Sequence, residues 1–225
     1  MERIVNVHIP NCAGTSFKIA LAALFKVKYD YGGRISRSEK LVISDSIAQN
    51  YQIDAAQYDA VNCISGHFIP IKYLKLHQAG WKFITWLRDP AQRLFSQYYH
   101  YQRHKDLFLN QGVNNSPGFY VLSRNLTVEA FVLDPLFKNH IRRFFYRFPP
   151  RLYFFNGIVE QYPSDLAFLS EQLGVNIPLY WENLNLEKQN EQYDIPSALL
   201  AEIKQFHSQD YQIYEQVTQQ SKQRK

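Results

Sequence analysis

Three short stretches carry residue types whose spacing suits the handling of phosphate and of a proton. Residues 8–18 read HIPNCAGTSFK: the end of an apolar run, a turn, small residues, then the start of a helix. Ala13 and Gly14 let main chain approach a ligand closely, Thr15 and Ser16 bring hydroxyls, and the first N–H groups of a helix favour an anion. The stretch is not a Walker loop, because Ile9 stands at that motif's first glycine and Thr15 at its lysine. A helix merely capped by Ser or Thr would use the same residues. Residues 88–96 read RDPAQRLFS, with Arg88 delivered by an apolar run and Pro90 suited to a first helical turn. Arg93, Ser96 and His100 follow at helical spacing. A planar guanidinium beside a hydroxyl can clamp a terminal phosphate, while an Arg–Asp pair closing a turn is the plainer use. Residues 64–68, ISGHF, place His67 just beyond a strand, and imidazole is suited to taking a proton near neutrality.

The elements that must position these residues read as alternating strands and helices. Short runs rich in Val, Ile and Phe predict strands at Ile4–Ile9, Ala60–Ser65, Lys82–Leu87 and Tyr153–Ile158. Helices are predicted at Ser16–Lys26, Pro90–Lys105, Ser164–Leu173 with a stop at Gly174, and as one long C-terminal helix over Ser197–Val217. Residues 32–38 and Asn110–Gly118 read as loops. This alternation implies an α/β fold, P-loop-like and three-layered, with a central parallel sheet covered by helices. Ligands of such sheets sit beyond the carboxyl ends of the strands. Pro10–Ser16, Gly66-His67, Arg88-Asp89-Pro90 and Glu160 all fall there. No repeat or domain boundary is visible, so residues 1–225 read as a single domain.

Composition narrows the classes without choosing among them. Twenty-five Lys and Arg against 20 Asp and Glu give a net charge of +5, which suits an anionic cofactor or a polyanion equally. Aromatics reach 16%, enough for a ring-rich core and for stacking platforms. Two cysteines, Cys12 and Cys63, cannot staple 225 residues and point to a reducing compartment. Neither C-x-x-C nor H-x-x-x-H spacing supports zinc on Cys12, Cys63, His8 and His67, so no metal is expected. No apolar run is long enough to span a bilayer and no leader pattern precedes Ile4, so a cytoplasmic protein is expected.

Taken together, HIPNCAGTSF and WLRDPAQRLFSQYYH resemble the two cofactor signatures of the sulfotransferases that use 3′-phosphoadenosine 5′-phosphosulfate (PAPS). The likeness is to the carbohydrate type related to heparan sulfate 2-O- and 6-O-sulfotransferases. It extends to Phe154–Gly174, similar to that family's strand-Gly-x-x-Glu-helix segment, and to Asp210–Glu215 (DYQIYE). The resemblance implies that Cys12, Ala13, Gly14, Thr15 and Ser16 cradle the 5′-phosphosulfate, and that Arg88 and Ser96 hold the 3′-phosphate with Arg93 in support. Arg143 fits the arginine of the family's N-x-Q-x-R-x-L segment, although Ile141 stands at its glutamine. His67 matches the G-H pair whose histidine acts as base in the 2-O type, with Ser65 where that type has a further histidine. Glu160 is the fallback base, with a structural role as its plainer reading.

One departure matters most. The family has lysine at the position of Asn11, contacting the bridging oxygen of the leaving group. Asparagine donates a hydrogen bond without charge. Lys18, in the first turns of the helix, is the candidate substitute, since helical side chains lean towards the N-terminus. The expected function is therefore transfer of a sulfuryl group from PAPS to a glycan hydroxyl, releasing 3′-phosphoadenosine 5′-phosphate (PAP). The alternative is a PAP/PAPS-binding protein with little transfer. A polyanion binder using Arg142, Arg143, Arg147 and Arg151 is a third reading, and nucleic acid is disfavoured by the ordered motif pair. Tyr98, Tyr99, Tyr101, Arg103, His104 and Lys105 could line an acceptor groove or be half core and half solvated face. The acceptor's identity and the oligomeric state leave no readable signature.

Overall fold

Runs of Ile, Val and Phe make the central strands because in a parallel sheet both faces of a strand must be covered. The computed structural model describes residues 2–31, 39–110, 116–180 and 192–224. In chain order its principal elements are β1 (Ile4–Val7), α1 (Gly14–Leu24), β2 (Val27–Asp30), α2 (Glu39–Gln52), β3 (Cys63–Gly66), α3 (Leu74–Gln78) and β4 (Lys82–Leu87). They continue with α4 (Pro90–Arg103), α5 (Lys105–Asn110), α6 (Pro117–Ser123), α7 (Val128–Val132), β5 (Phe155–Ile158), α8 (Tyr162–Leu173), α9 (Ser197–Phe206) and α10 (Ser208–Lys222). The strands form one parallel sheet in the order β2-β3-β1-β4-β5, flanked by helices. Every residue of β1, β3 and β5 is buried. Successive side chains of a strand point to opposite faces, so both faces of the sheet are covered. This is the α/β class expected from the alternation of elements.

The order places the site. β1 connects to β2 on one side of it, whereas β4 connects to β5 on the other. The crevice between the carboxyl ends of β1 and β4 is therefore a topological switch point. α1 closes one face there, its Phe17 ring meeting Trp86 of β4 edge-on at 5.4 Å. Polar side chains inside the sheet are paired: Asn6 Nδ2 donates to Ser65 Oγ at 2.9 Å, and Thr85 Oγ1 to the Val7 carbonyl at 2.8 Å. A second apolar cluster lies on the outer side of α4, where Leu94, Phe95 and Tyr101 pack with Val121, Phe131, Phe137, Ile203 and Tyr211.

Several expectations change. β4 spans the expected residues, but β1, β3 and β5 are shorter, and β2 was not expected at all. β2 is an edge strand, VKYD, whose middle residues are exposed, so it carries no apolar run to read. α2 was also not expected; its polar sequence, EKLVISDSIAQNYQ, has a weak apolar face. α4 stops at Arg103, and Lys105–Asn110 forms a separate helix. The loop expected over Asn110–Gly118 gives way to helix at Pro117, where Ser116 caps α6; residues 111–115, like the loop expected at 32–38, lie outside the described residues. The single C-terminal helix is two. His207 ends α9, because its ring turns inward: Nε2 donates to the Val132 carbonyl at 2.7 Å and Nδ1 accepts the Asn139 N–H at 3.2 Å.

Gly66 tests how tightly the site edge is built. A methyl group there would stand 1.8 Å from the Asp30 carbonyl oxygen, which is main chain and cannot swing away. Gly66→Ala is expected to lower stability in urea unfolding by on the order of 1–3 kcal/mol, the usual cost of overpacking.

Candidate functional site

The loop between β1 and α1 is bent by two residues in the left-handed region, Asn11 at φ 65° and Ala13 at φ 52°. Such a conformation is unfavourable for alanine and is kept only where the surroundings dictate it. Ala13 is also the N-cap of α1, and its methyl group offers the helix no capping acceptor. α4, α6 and α7 by contrast are capped by Asp89, Ser116 and Thr127. Thr15 and Ser16 lie within the helix, so capping does not account for them. A left-handed residue followed by a right-handed helix turns successive N–H groups towards one point, a concavity that binds anions. The first turn of α1 thus has donors and dipole but no acceptor of its own.

Cys12 joins this loop to the second motif. Its buried thiol approaches the Pro10 carbonyl at 3.8 Å and lies within the field of the Arg88 and Arg93 guanidiniums. Burial pushes the thiol pKa up to about 12, against the pull of Arg93 and Arg88, so it remains protonated and is no nucleophile. Arg88 is buried, its guanidinium carbon 5.8 Å from the Tyr193 ring centre. Tyr193 is held there by Gln92, which accepts its N–H at 2.8 Å and donates to its carbonyl at 2.9 Å. Nothing in the sequence links residues 92 and 193, 101 positions apart. Ser96 lies half-buried on α4.

Arg93 is the strongest electrostatic feature. It is fully buried, and Nη1 donates to Gln97 Oε1 at 2.9 Å, but Nε and Nη2 meet no acceptor among the described residues. An unmatched buried guanidinium is costly, and an anion drawn into its field offsets that cost. The field reaches Cys12, His140, His207 and Asp210, where it opposes the effect of burial at Asp210. Arg143 lies buried beside His140, whereas Arg142, Arg147 and Arg151 are exposed. The four arginines therefore do not form one surface. Asp210 accepts the Ile141 and Arg142 N–H groups at 3.0 and 2.8 Å, which anchors this segment to α10.

On the other flank of β1, His67 follows Gly66. Its Nδ1 lies 2.8 Å from the His8 carbonyl, an oxygen that can only accept, so Nδ1 carries the proton and Nε2 keeps its lone pair. Burial lowers the His67 pKa, partly offset by that hydrogen bond, and the ring is neutral near pH 7. The sequence offers His8 only as an unsupported zinc ligand and gives no sign of Tyr31, yet the His67 ring centre is 4.3 Å from that of His8 and 4.8 Å from that of Tyr31. The Lys18 amine lies 5.6 Å from the Tyr29 ring centre, and its charge is felt at His8.

Glu160 is engaged structurally, accepting the Asp89 N–H at 3.0 Å and the Tyr214 hydroxyl at 3.2 Å. The tyrosines of α4 are packing residues. Tyr98 donates to the Leu126 carbonyl, Tyr99 stacks on Tyr193 at 5.3 Å, and Tyr101 is buried and bonded to Gln97. All three pack with the second apolar cluster.

The buried histidines give a pH dependence with a definite sign. Burial holds His207 at about 4, against about 6.5 in an unfolded chain. Between these values the unfolded chain binds more protons, so stability falls as pH drops through that window. Asp210 works the other way, since burial raises it to about 6 and acidification there favours the native state. Glu160, raised by burial, works with Asp210, whereas His8, His67 and His140 are lowered like His207 and outnumber the two acids. Urea unfolding is expected to show declining stability from pH 6.5 towards 4, with a shallower decline in His207→Gln.

No protein-family profile matches the sequence, and no curated protein matches it. Among solved structures, a sulfotransferase from Alicyclobacillus acidocaldarius overlays with a TM-score of 0.49 at 14% identity, over 97% of this chain and 96% of that one. Mouse sulfotransferase SULT7A1, complexed with PAP, overlays with a TM-score of 0.41 at 12% identity, over 91% of this chain and 62% of that one. Identities this low carry no residue roles across.

Proposed function

We propose that the protein is a sulfotransferase that moves a sulfuryl group from PAPS to a hydroxyl of a carbohydrate acceptor. The observation that carries this reading is the uncapped first turn of α1, tied through Cys12 to Arg88 and flanked on the other side by a base-competent His67. PAPS supplies an activated sulfuryl group on a dianionic leaving nucleotide. The residues present fit it: the N–H groups of Gly14, Thr15 and Ser16 would hold its 5′ end, and Arg88 and Ser96, backed by the field of Arg93, its 3′-phosphate. Arg143 would lend further positive charge from the segment that α10 anchors. His67 would take the acceptor's proton on Nε2 as that oxygen meets sulfur, a role worth roughly a hundred- to ten-thousandfold in rate. Tyr31 stands against His67 with 38% of its surface exposed, and Tyr29 stacks on it at 6.1 Å with 47% exposed. Flat rings beside a base suit the apolar face of a pyranose.

Asn11 favours a second reading, a PAP- or PAPS-binding protein with little transfer, because its amide brings no charge to the leaving oxygen. Among the described residues no helix is long and apolar enough to cross a membrane. Calorimetry is expected to show PAP bound more tightly than AMP. Mixing PAPS with candidate glycans is expected to release PAP with wild type and at least a hundredfold more slowly with His67→Ala, PAP affinity being kept. Equal affinity for AMP would sink both readings; PAP binding without release would leave the second.

A further inference from the structure

His8 is the first residue beyond β1 and touches His67, Tyr31 and the start of α1. Its N–H donates to the Gly66 carbonyl at 2.9 Å, and its own carbonyl fixes His67. Its ring lies on the start of α1: a methyl group on Gly14 would stand 1.4 Å from His8 Nε2, so only glycine admits the imidazole there. The loop's claim to an anion does not rest on the helix terminus alone, since the buried Arg93, whose Nε and Nη2 meet no acceptor among the described residues, projects its charge onto Cys12.

Asn6 Nδ2 donates to Ser65 Oγ at 2.9 Å beneath the His8 ring. The Tyr31 hydroxyl stands 3.4 Å from His8 Nδ1, in reach to donate its proton to that nitrogen. A neutral imidazole has one N–H, which is left on Nε2, at the mouth of α1. His8 is neutral because burial, with His67 and Lys18 nearby, holds its pKa well below the ordinary value.

We propose that the Nε2–H of His8 donates to the oxygen joining the 5′-phosphate to the sulfuryl group, doing as a neutral donor what Asn11 cannot do as a cation. The inference rests on the sulfotransferase reading. As the new sulfur–oxygen bond forms, the acceptor proton passes to His67. The old bond's electron pair stays on that phosphate oxygen, and His8 keeps its proton while stabilising the growing charge.

Single-turnover release of PAP from PAPS separates this inference from the reading beneath it, together with NMR of the His8 ring nitrogens during PAP titration. His8→Leu should slow release roughly a hundred- to a thousandfold, as the loss of one such donor does, with little change in KM for PAPS. His8→Gln, whose amide reaches a similar place, should stay within about tenfold of wild type, and Asn11→Lys should recover much of the loss in the leucine variant. The His8 Nε2 resonance should move when PAP binds, whether or not transfer is fast. Wild-type protein that binds no PAP would overturn the sulfotransferase reading and this inference with it. PAP binding that leaves the His8 resonances in place would overturn this inference alone, as would a leucine variant with full single-turnover rate.

Discussion

The site depends on an electrostatic constraint at the centre of the sheet. The central strand ends in a loop held in the left-handed region at two non-glycine residues, and it delivers a helix whose N-cap, Ala13, has no side chain that could cap it. An uncapped helix start beside a fully buried, incompletely bonded guanidinium is an arrangement with positive charge on both sides and no anion of its own. Protein interiors seldom leave such groups unmatched. Asp210, a buried acid within the field of Arg93, is occupied by two main-chain N–H groups.

Parallel register makes that constraint useful. Because β3 and β4 run alongside β1 in the same direction, their first polar residues emerge at one edge, His67 on one flank of the loop and Arg88 on the other. The connections then anchor each flank. Gly66 lets β2 approach closely enough for the Asp30 carbonyl to accept the His67 N–H. Gln92 draws Tyr193 across to Arg88, and Glu160 ties the Asp89 turn to Tyr214. The two histidines are held together, since the His8 carbonyl orients the His67 ring while the His8 ring sits on the helix start.

The neutrality of these histidines bears on the chemistry. His8, His67 and His140 are all lowered by burial, so the site carries its positive charge on arginines and on Lys18 and keeps imidazoles for donating and accepting. That division suits a reaction in which one oxygen must lose a proton while another gains charge, since a protonated base could accept nothing.

The sequence by itself determined the parallel α/β plan and the strand ends at which Gly14, His67 and Arg88 appear, because apolar runs and glycine or proline punctuation are local signals. It also exposed the anomaly at Asn11, where the resemblance to sulfotransferases expects a lysine. Only the tertiary structure decided what those residues meet. β2 escaped notice because an edge strand needs no apolar run, and the C-terminal helix breaks at His207 because that ring serves a segment some 70 residues away. The roles of His8, Tyr31 and Tyr193 depend on hydrogen bonds and ring contacts between strands and segments far apart in the chain. Such contacts leave no periodicity behind, since they are set by how elements pack and not by what any one of them contains.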